Sequence, residues 1–303
     1  MSKINWPVYN KALIHRGNIT IWFSPDVAKS WYFHSRHYKR GATPTYTEAA
    51  IEVILMLRYR FRLTLRETQG FAESLLKLMG LDLQVPDYTT LSRRAARVAV
   101  ELSAVGSSSK PLHVVIDSTG LKVYGEGEWK VRLHGSSKRR TWRKLHLAID
   151  ESTNQIISAV LSENSFKDSE VFEDLMAPID IEIEQVTGDG AYDCKNCYKW
   201  TDQSQIKGVF PPRRGAKIKR HGNCREKPLT RDQYVRDIRK LGRKKWKKKV
   251  NYHRRSIAET GMYRFKTILG DKLQSRLFEN QATEAFIKCK ILNQMPTPAV
   301  LVN

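Results

Sequence analysis

Apolar residues along this chain follow two different spacings, and the change falls near residue 110. In the first hundred residues they recur every three or four positions. Ile51, Ile54, Leu55 and Leu57, with Arg58 beside them, predict a helix over 47–61. Thr64, with Glu67 three residues on, has the form of a capping box and opens a second helix that ends near Gly80. After the connector LDLQVPD, Asp87 can cap a third helix over 88–102 that carries Arg93, Arg94 and Arg97. Three helices with a basic last one resemble a helix-turn-helix, which inserts its last helix in the major groove of DNA. The connector is longer than the usual tight turn, so a variant is expected. A plain helical bundle with solvated arginines would share this pattern.

Gly106 to Pro111 (GSSSKP) has turn-forming composition and marks the boundary between a helical domain, 1–108, and a second domain, 109–303. Beyond it the apolar residues become β-branched and contiguous. Residues 112–117 form a short apolar run that closes on Asp117, the pattern of a buried strand with the acid at its tip. A hairpin is expected over 119–131 and strands over 142–150 and 156–161. A helix over 165–176 precedes a strand that stops at Gly188-Asp189-Gly190, followed by a helix over 192–202 and a strand over 206–210. Strands first and then strands alternating with helices give an α/β class.

Asp117 and Asp189 both stand at strand ends, where open α/β sheets gather reactive groups. A lone strand-end Asp is most often a turn former or cap. A third acid changes the weighing. Tyr252, Arg255, Glu259 and Lys266 are spaced by three, four and seven residues, which on a helix puts them within roughly 60° of one another at about 100° per residue. Ile257, Gly261, Phe265 and Ile268 would form the docking face. Three carboxylates can hold Mg²⁺, a hard cation that takes oxygen ligands and keeps several waters. Two such ions about 3.5–4 Å apart activate a water or a 3′-hydroxyl and stabilise the leaving oxygen. Asp117 is expected to be shared by both ions, with Asp189 and Glu259 serving one each and Mn²⁺ able to substitute. Asp193, the nearest other acid, is read as a helix-cap or structural residue.

Charge adds a partner. The chain of 303 residues has 53 Lys and Arg against 31 Asp and Glu, a net charge of +22. Such a field favours polyanions and salt-sensitive association. Between Arg213 and Arg255 lie nineteen basic residues and three acidic ones, including the run RKKWKKK. Residues 211–250 therefore read as a basic insertion tracking DNA phosphates through Lys244, Lys245, Lys247 and Lys248. Trp246 would stack on an unpaired base or pack on the core. A second basic patch covers 134–143. Cys194 and Cys197, with His221 and Cys224, have zinc-ligand spacing, but reduced thiols account for them better. No apolar run is long enough to span a bilayer, and the opening MSKINWPVYNK lacks a signal-peptide core, so a cytoplasmic protein away from membranes is expected.

Asp117 in VIDSTG, Asp189 in TGDGAYD and the Tyr252, Arg255, Glu259, Lys266 set, with PDYTTLSRR upstream, resemble bacterial insertion-sequence DDE transposases. The chain is most similar to the IS-five type within the Tyr-Arg-Glu-Lys signature group. The resemblance covers most of the chain and implies a ribonuclease-H-like catalytic domain. It implies nicking at the terminal inverted repeats of an element, then attack of the freed 3′-OH on target DNA. Tyr252, Arg255 and Lys266 would grip terminal phosphates, and a homodimer would assemble on double-stranded DNA. A ribonuclease-H-like nuclease without strand transfer would keep the same acids. An inactive DNA-binding derivative would lack one, and none is missing.

Overall fold

The computed structural model describes residues 5–19, 23–34, 45–102, 111–123, 142–220 and 229–295. The chain divides into two compact units, Met1–Glu101 with Leu273–Asn303, and Leu102–Lys272.

The first unit is helical: α1 (Trp6–His15), α2 (Pro25–Lys29), α3 (Glu48–Phe61), α4 (Leu65–Leu78), α5 (Tyr88–Ala95) and α11 (Phe278–Gln294). Its caps follow the sequence. The Thr47 hydroxyl accepts from the Ala50 amide, Thr64 and Glu67 form the reciprocal capping box, and Asp87 accepts from the Thr89 and Thr90 amides. α3 is not the one-sided helix that its spacing implied. Every residue from Val53 to Tyr59 is buried, because α11 packs against it. Residues 273–295, assigned from sequence to the second domain, thus pack with the N-terminal helices. This C-terminal segment carries a buried polar network. The Glu284 carboxylate accepts from the Gln274 and Ser275 amides and the Ser275 hydroxyl, and pairs with Lys288 at 2.8 Å. α5 ends at Ala95, seven residues before the expected 102, where the Arg97 amide makes a tighter bond back to the Arg94 carbonyl.

The second unit is mixed α/β around one sheet. Five of the six strands among its described residues, β1 (Leu112–Val123), β2 (Trp142–Asp150), β3 (Ile156–Glu163), β4 (Ile183–Thr187) and β5 (Lys207–Val209), lie in the order β3-β2-β1-β4-β5. The first three are antiparallel neighbours, and β4 and β5 join parallel to β1. Between and after the strands come α6 (Phe172–Met176), α7 (Lys195–Gln203), α8 (Thr230–Leu241), α9 (Arg243–Lys249) and α10 (Ser256–Leu269). One sheet face packs Val114, Ile116, Ala148 and Val186 against Phe172, Tyr192, Tyr198 and Phe210. α10 covers β1 and β2. A Cβ on Gly261 would stand 2.5 Å from Ile149 Cδ1, so glycine allows that close approach of helix to strand.

Several expected elements change. β1 does not stop at Asp117 but runs on to Val123, because β2 pairs with it through Lys122. The rest of the hairpin expected over 119–131, and the basic patch of 134–143 apart from Trp142 and Arg143, lie outside the described residues. The helix expected over 165–176 shortens to Phe172–Met176, because residues 164–171 form turns. The insertion expected to lack pattern contains α8 and α9. Its apolar positions, Tyr234, Val235, Ile238, Trp246 and Val250, are too sparse among the lysines and arginines to register as a period, yet they suffice to dock both helices.

Two shielded histidines, His146 buried and His113 half-buried, give this unit a pH dependence. Burial chiefly lowers His146 to about 4, and burial followed by Arg254 and Lys207 lowers His113 to about 4. Between the ordinary histidine value and 4 the unfolded chain binds protons that the folded chain refuses, so stability is full near neutrality and falls with acidity. Urea titrations from pH 7 to pH 4 should show this loss, on the order of 1–3 kcal/mol per ring. His146→Gln should shallow the slope, and an unchanged slope would mean that His146 titrates normally.

Candidate active site

The register of β1 on β4 brings the two aspartates together. The last parallel pair is Val115 with Thr187, and Asp117 and Asp189 each lie two residues beyond it. Residues two apart on a strand share a face, so the acids leave the ladder side by side. Gly188 makes the exit possible: a Cβ there would meet Tyr192 at 2.7 Å and Ile116 at 3.0 Å. Asp189 then caps the 3₁₀ turn Gly190–Tyr192, its Oδ1 accepting from the Ala191 amide at 2.8 Å.

The third acid arrives from the opposite end of the chain. Arg255 Nη1 donates to Asp117 Oδ2 at 3.0 Å, and its Nη2 donates to Glu259. Asp117 Oδ1 accepts from the Ser118 amide at 2.9 Å. Burial raises the proton affinity of Asp117, and the charges of Asp189 and Glu259 raise it further against the opposing pull of the Ser118 amide and Arg255. Burial works to lower Arg255, but Asp117, Tyr252, Glu259 and Asp189 together raise it. Three carboxylates are thus within electrostatic reach of one another, with a guanidinium among them.

The helix bearing Glu259 is not continuous with Tyr252. Tyr252–Arg255 is a 3₁₀ turn, and α10 starts at Ser256. This rotates the expected faces. The buried stripe is Ala258, Met262, Phe265 and Leu269, whereas Ile257, Gly261 and Ile268 are only half-buried. Tyr252 leaves the polar stripe altogether and is buried beside Trp246, their ring centres 6.4 Å apart. Its hydroxyl is raised chiefly by burial. Glu259 is exposed and Lys266 half-buried, seven residues apart on one side of α10.

Trp246 is a correction. Its ring is fully buried against Tyr234, centres 5.3 Å apart, and offers no face to a base. The run RKKWKKK is a helix that turns its tryptophan inward. Lys244, Lys245 and Lys248 are exposed, while Lys247 lies over the Tyr252 ring and Lys249 pairs with Asp237 at 2.9 Å. In the helical unit Arg93 and Arg97 are exposed, but Arg94 donates to the Tyr46 carbonyl and is half-buried. Asp193 pairs with both Arg231 Nε and Nη2, at 2.7 and 3.2 Å, and accepts from the Arg213 amide, so it secures the basic segment to the sheet. Cys194 and Cys197 have sulfurs 3.3 Å apart, and the remaining members of the zinc spacing, His221 and Cys224, lie outside the described residues.

Four residues around the acids escaped the sequence reading. Ser118, Lys144 and Asp168 form a hydrogen-bonded group, and the buried Tyr192 hydroxyl has no hydrogen-bond partner among the described residues. Their signal was slight: Ser118 adjoins Asp117, and Tyr192 lies within GDGAYD.

Among the described residues no group of three or more His, Cys, Asp and Glu is already arranged to hold a metal. The arginine fork holds one oxygen of Asp117 and one of Glu259. The donor set itself fits a hard divalent cation. It consists of carboxylate oxygens only, and the charges of Asp189 and Glu259 both act on Asp117.

Comparison with known proteins agrees on one family. Residues 108–294 match the profile of a family described as "Transposase DDE domain", and residues 14–126 match a second profile with the same description. The cryo-EM structure of a piggyBac transposase synaptic complex with hairpin DNA overlaps 92% of this chain and 76% of that chain. It does so at 11% identity with a TM-score of 0.35, too slight a likeness to carry an argument.

Because Trp246 is a core residue, Trp246→Ala should lower stability by about 3–5 kcal/mol, as other large-to-small core changes do. Trp246→Phe should retain most of the fold and DNA affinity. A stable Trp246→Ala protein with a selective loss of single-strand binding would return the indole to the DNA interface.

Proposed function

The chain belongs to the family of DDE transposase domains, and from that premise we propose that it is the transposase of a bacterial insertion sequence of the IS-five type. In this reading it binds the terminal inverted repeats, cleaves DNA at the element's ends and joins the 3′-OH ends to target DNA by two-metal phosphoryl transfer. The observation that carries the reading is the shared register of Asp117 and Asp189, with Arg255 from the 3₁₀ turn bridging Asp117 to Glu259 at the start of α10. Three antiparallel strands followed by two parallel ones, with helices on both sides, support a ribonuclease-H-like fold for the second unit.

Asp117, Asp189 and Glu259 would hold Mg²⁺, with Mn²⁺ able to replace it, and the bound ions would supply Lewis-acid activation of the attacking oxygen and charge relief at the leaving one. The chain's own groups do the rest. Arg255 exchanges its carboxylate partners for the phosphate at the cleaved end, where its planar fork matches two phosphate oxygens. Lys266, on the same side of α10 as Glu259, adds a second cation. Tyr252 acts by packing, wedging the 3₁₀ turn so that Arg255 points inward. Lys244, Lys245 and Lys248, exposed and free of partners among the described residues, neutralise flanking phosphates. Arg93 on α5 and Arg97 just past its end would contact the inverted repeat in the manner of a helix-turn-helix, with Arg94 holding that helix in place. We assign double-stranded DNA as the partner and a homodimer as the active assembly. No helix among the described residues is long and apolar enough to cross a membrane, and a place in the cytoplasm, on the nucleoid, belongs to the same proposal.

Asp117→Ala, Asp189→Ala and Glu259→Ala should each abolish cleavage of element-end DNA at normal Mg²⁺, with binding kept within a few-fold of the parent. A variant that still cuts would remove that residue from the centre. Cut ends that are never joined to a second duplex would instead indicate a nuclease.

Replacing Lys244, Lys245 and Lys248 together with alanine should weaken binding to all sequences alike. The log–log dependence of affinity on salt should flatten by up to about 0.9 for each phosphate that is no longer neutralised. An unchanged slope would place the phosphate track elsewhere.

A further inference from the structure

On the sheet face away from α10 lies a polar group that the proposed chemistry has not used. Paired residues of antiparallel strands share a face, and Ser118 pairs with His146 as Gly120 pairs with Lys144. The turns of 164–171 close over this face and deliver Asp168. Its Oδ2 accepts from the Ser118 hydroxyl at 2.9 Å, and its Oδ1 lies 3.2 Å from Lys144 Nζ. Lys144 also donates to the Phe166 carbonyl at 2.8 Å, so the lysine ties both Asp168 and the turn that carries it to β2. His146, fully buried, shares a hydrogen with the Ser162 hydroxyl at 2.8 Å and closes the floor.

Ser118 has two roles in this arrangement. Its hydroxyl is held by Asp168 on one face, and its amide donates to Asp117 Oδ1 on the other. Fixing the side chain therefore fixes the amide plane that orients the neighbouring carboxylate. The Tyr192 hydroxyl is buried with no hydrogen-bond partner among the described residues. Burial, and then the charges of Asp168, Asp117 and Asp189, hold its proton on. Three carboxylates from three separate segments thus act on one buried hydroxyl.

We propose that Asp168 is a positioning residue of the catalytic centre: through the Ser118 hydroxyl and the Lys144 ammonium it locks the backbone at Asp117 in the orientation that presents this carboxylate to the metal. The inference rests on the metal-centre reading above. Asp168 has no part in cation binding itself, because both its oxygens are engaged by Ser118 and Lys144. It predicts a loss of metal affinity with the chemistry left intact at saturating metal. Partners that orient metal ligands from behind typically contribute about ten- to a hundredfold in affinity.

The test is Mn²⁺ binding to the DNA-free full chain, followed by electron paramagnetic resonance, alongside the Mg²⁺ dependence of element-end cleavage. Asp168→Asn and Ser118→Ala should each weaken Mn²⁺ binding about ten- to a hundredfold and raise the half-saturating Mg²⁺ similarly. The maximal rate should stay within about threefold, and DNA affinity in EDTA should not change. Asp168→Glu should recover part of the loss, because it restores the charge and an acceptor. Asp117→Ala is the control that removes binding. A parent that binds no Mn²⁺ would overturn the metal-centre reading together with this inference. A parent that binds, with Asp168→Asn and Ser118→Ala binding as it does, would overturn the positioning role alone. A loss of maximal rate at unchanged metal affinity would overturn it too. Should Asp168→Asn fail to fold, Ser118→Ala, which removes one oxygen, decides the matter.

Discussion

The parallel pairing of Val115 with Thr187 is the constraint on which the candidate centre depends. Beyond that pair the two strands part, and the next residues on the same face are the two aspartates. Like charges side by side repel, and burial increases the effect by removing water. The structure tolerates them because each carboxylate is tied to a backbone amide, of Ser118 or Ala191, and because Arg255 is directed between Asp117 and Glu259. The sheet holds the charges together, the last helix of the unit supplies the third acid, and the 3₁₀ turn before it supplies the countercharge.

The position of Arg255 follows from packing rather than from charge alone. Trp246 and Tyr252 are buried in one aromatic line with Tyr234, and the turn after Tyr252 is a 3₁₀ turn rather than the start of α10. The aromatic anchor and the helix face of Ala258, Met262, Phe265 and Leu269 hold the turn from both sides. Lys247 sets its ammonium over the Tyr252 ring, while Lys244, Lys245 and Lys248 are exposed. One segment therefore serves two ends: its apolar residues place the arginine, and its exposed lysines carry the positive field assigned to DNA.

Asp193 and Arg231 perform a similar service for the loop after β5. A buried bidentate pair holds the basic residues from Arg213 onward against the sheet, where the charges alone would drive them apart. Breaking one half of such a pair leaves an uncompensated buried charge, which costs more than the intact pair contributes. Asp193 is therefore explained as a structural residue four positions after Asp189, close in sequence to the acids and separate from them in role.

Local signals in the chain determined the caps, the β-branched strands, the glycines at the strand exit and the three acids, because each depends on residues within a few positions of one another. Thr64 with Glu67, Asp87 with Thr89 and Thr90, and Gly188 before Asp189 all belong to this class. The family resemblance likewise rested on short ordered motifs. Contacts across sequence decided the remainder. Strand β1 continues past Asp117 because β2 pairs with it, α3 is buried all round because α11 covers it, and Trp246 is interior because Tyr234 and Tyr252 meet it. Asp168 is the clearest case: fifty residues separate it from Ser118, and nothing near it in sequence marks it. Periodicity reports which side of an element is apolar, but only the folded chain settles what lies against that side.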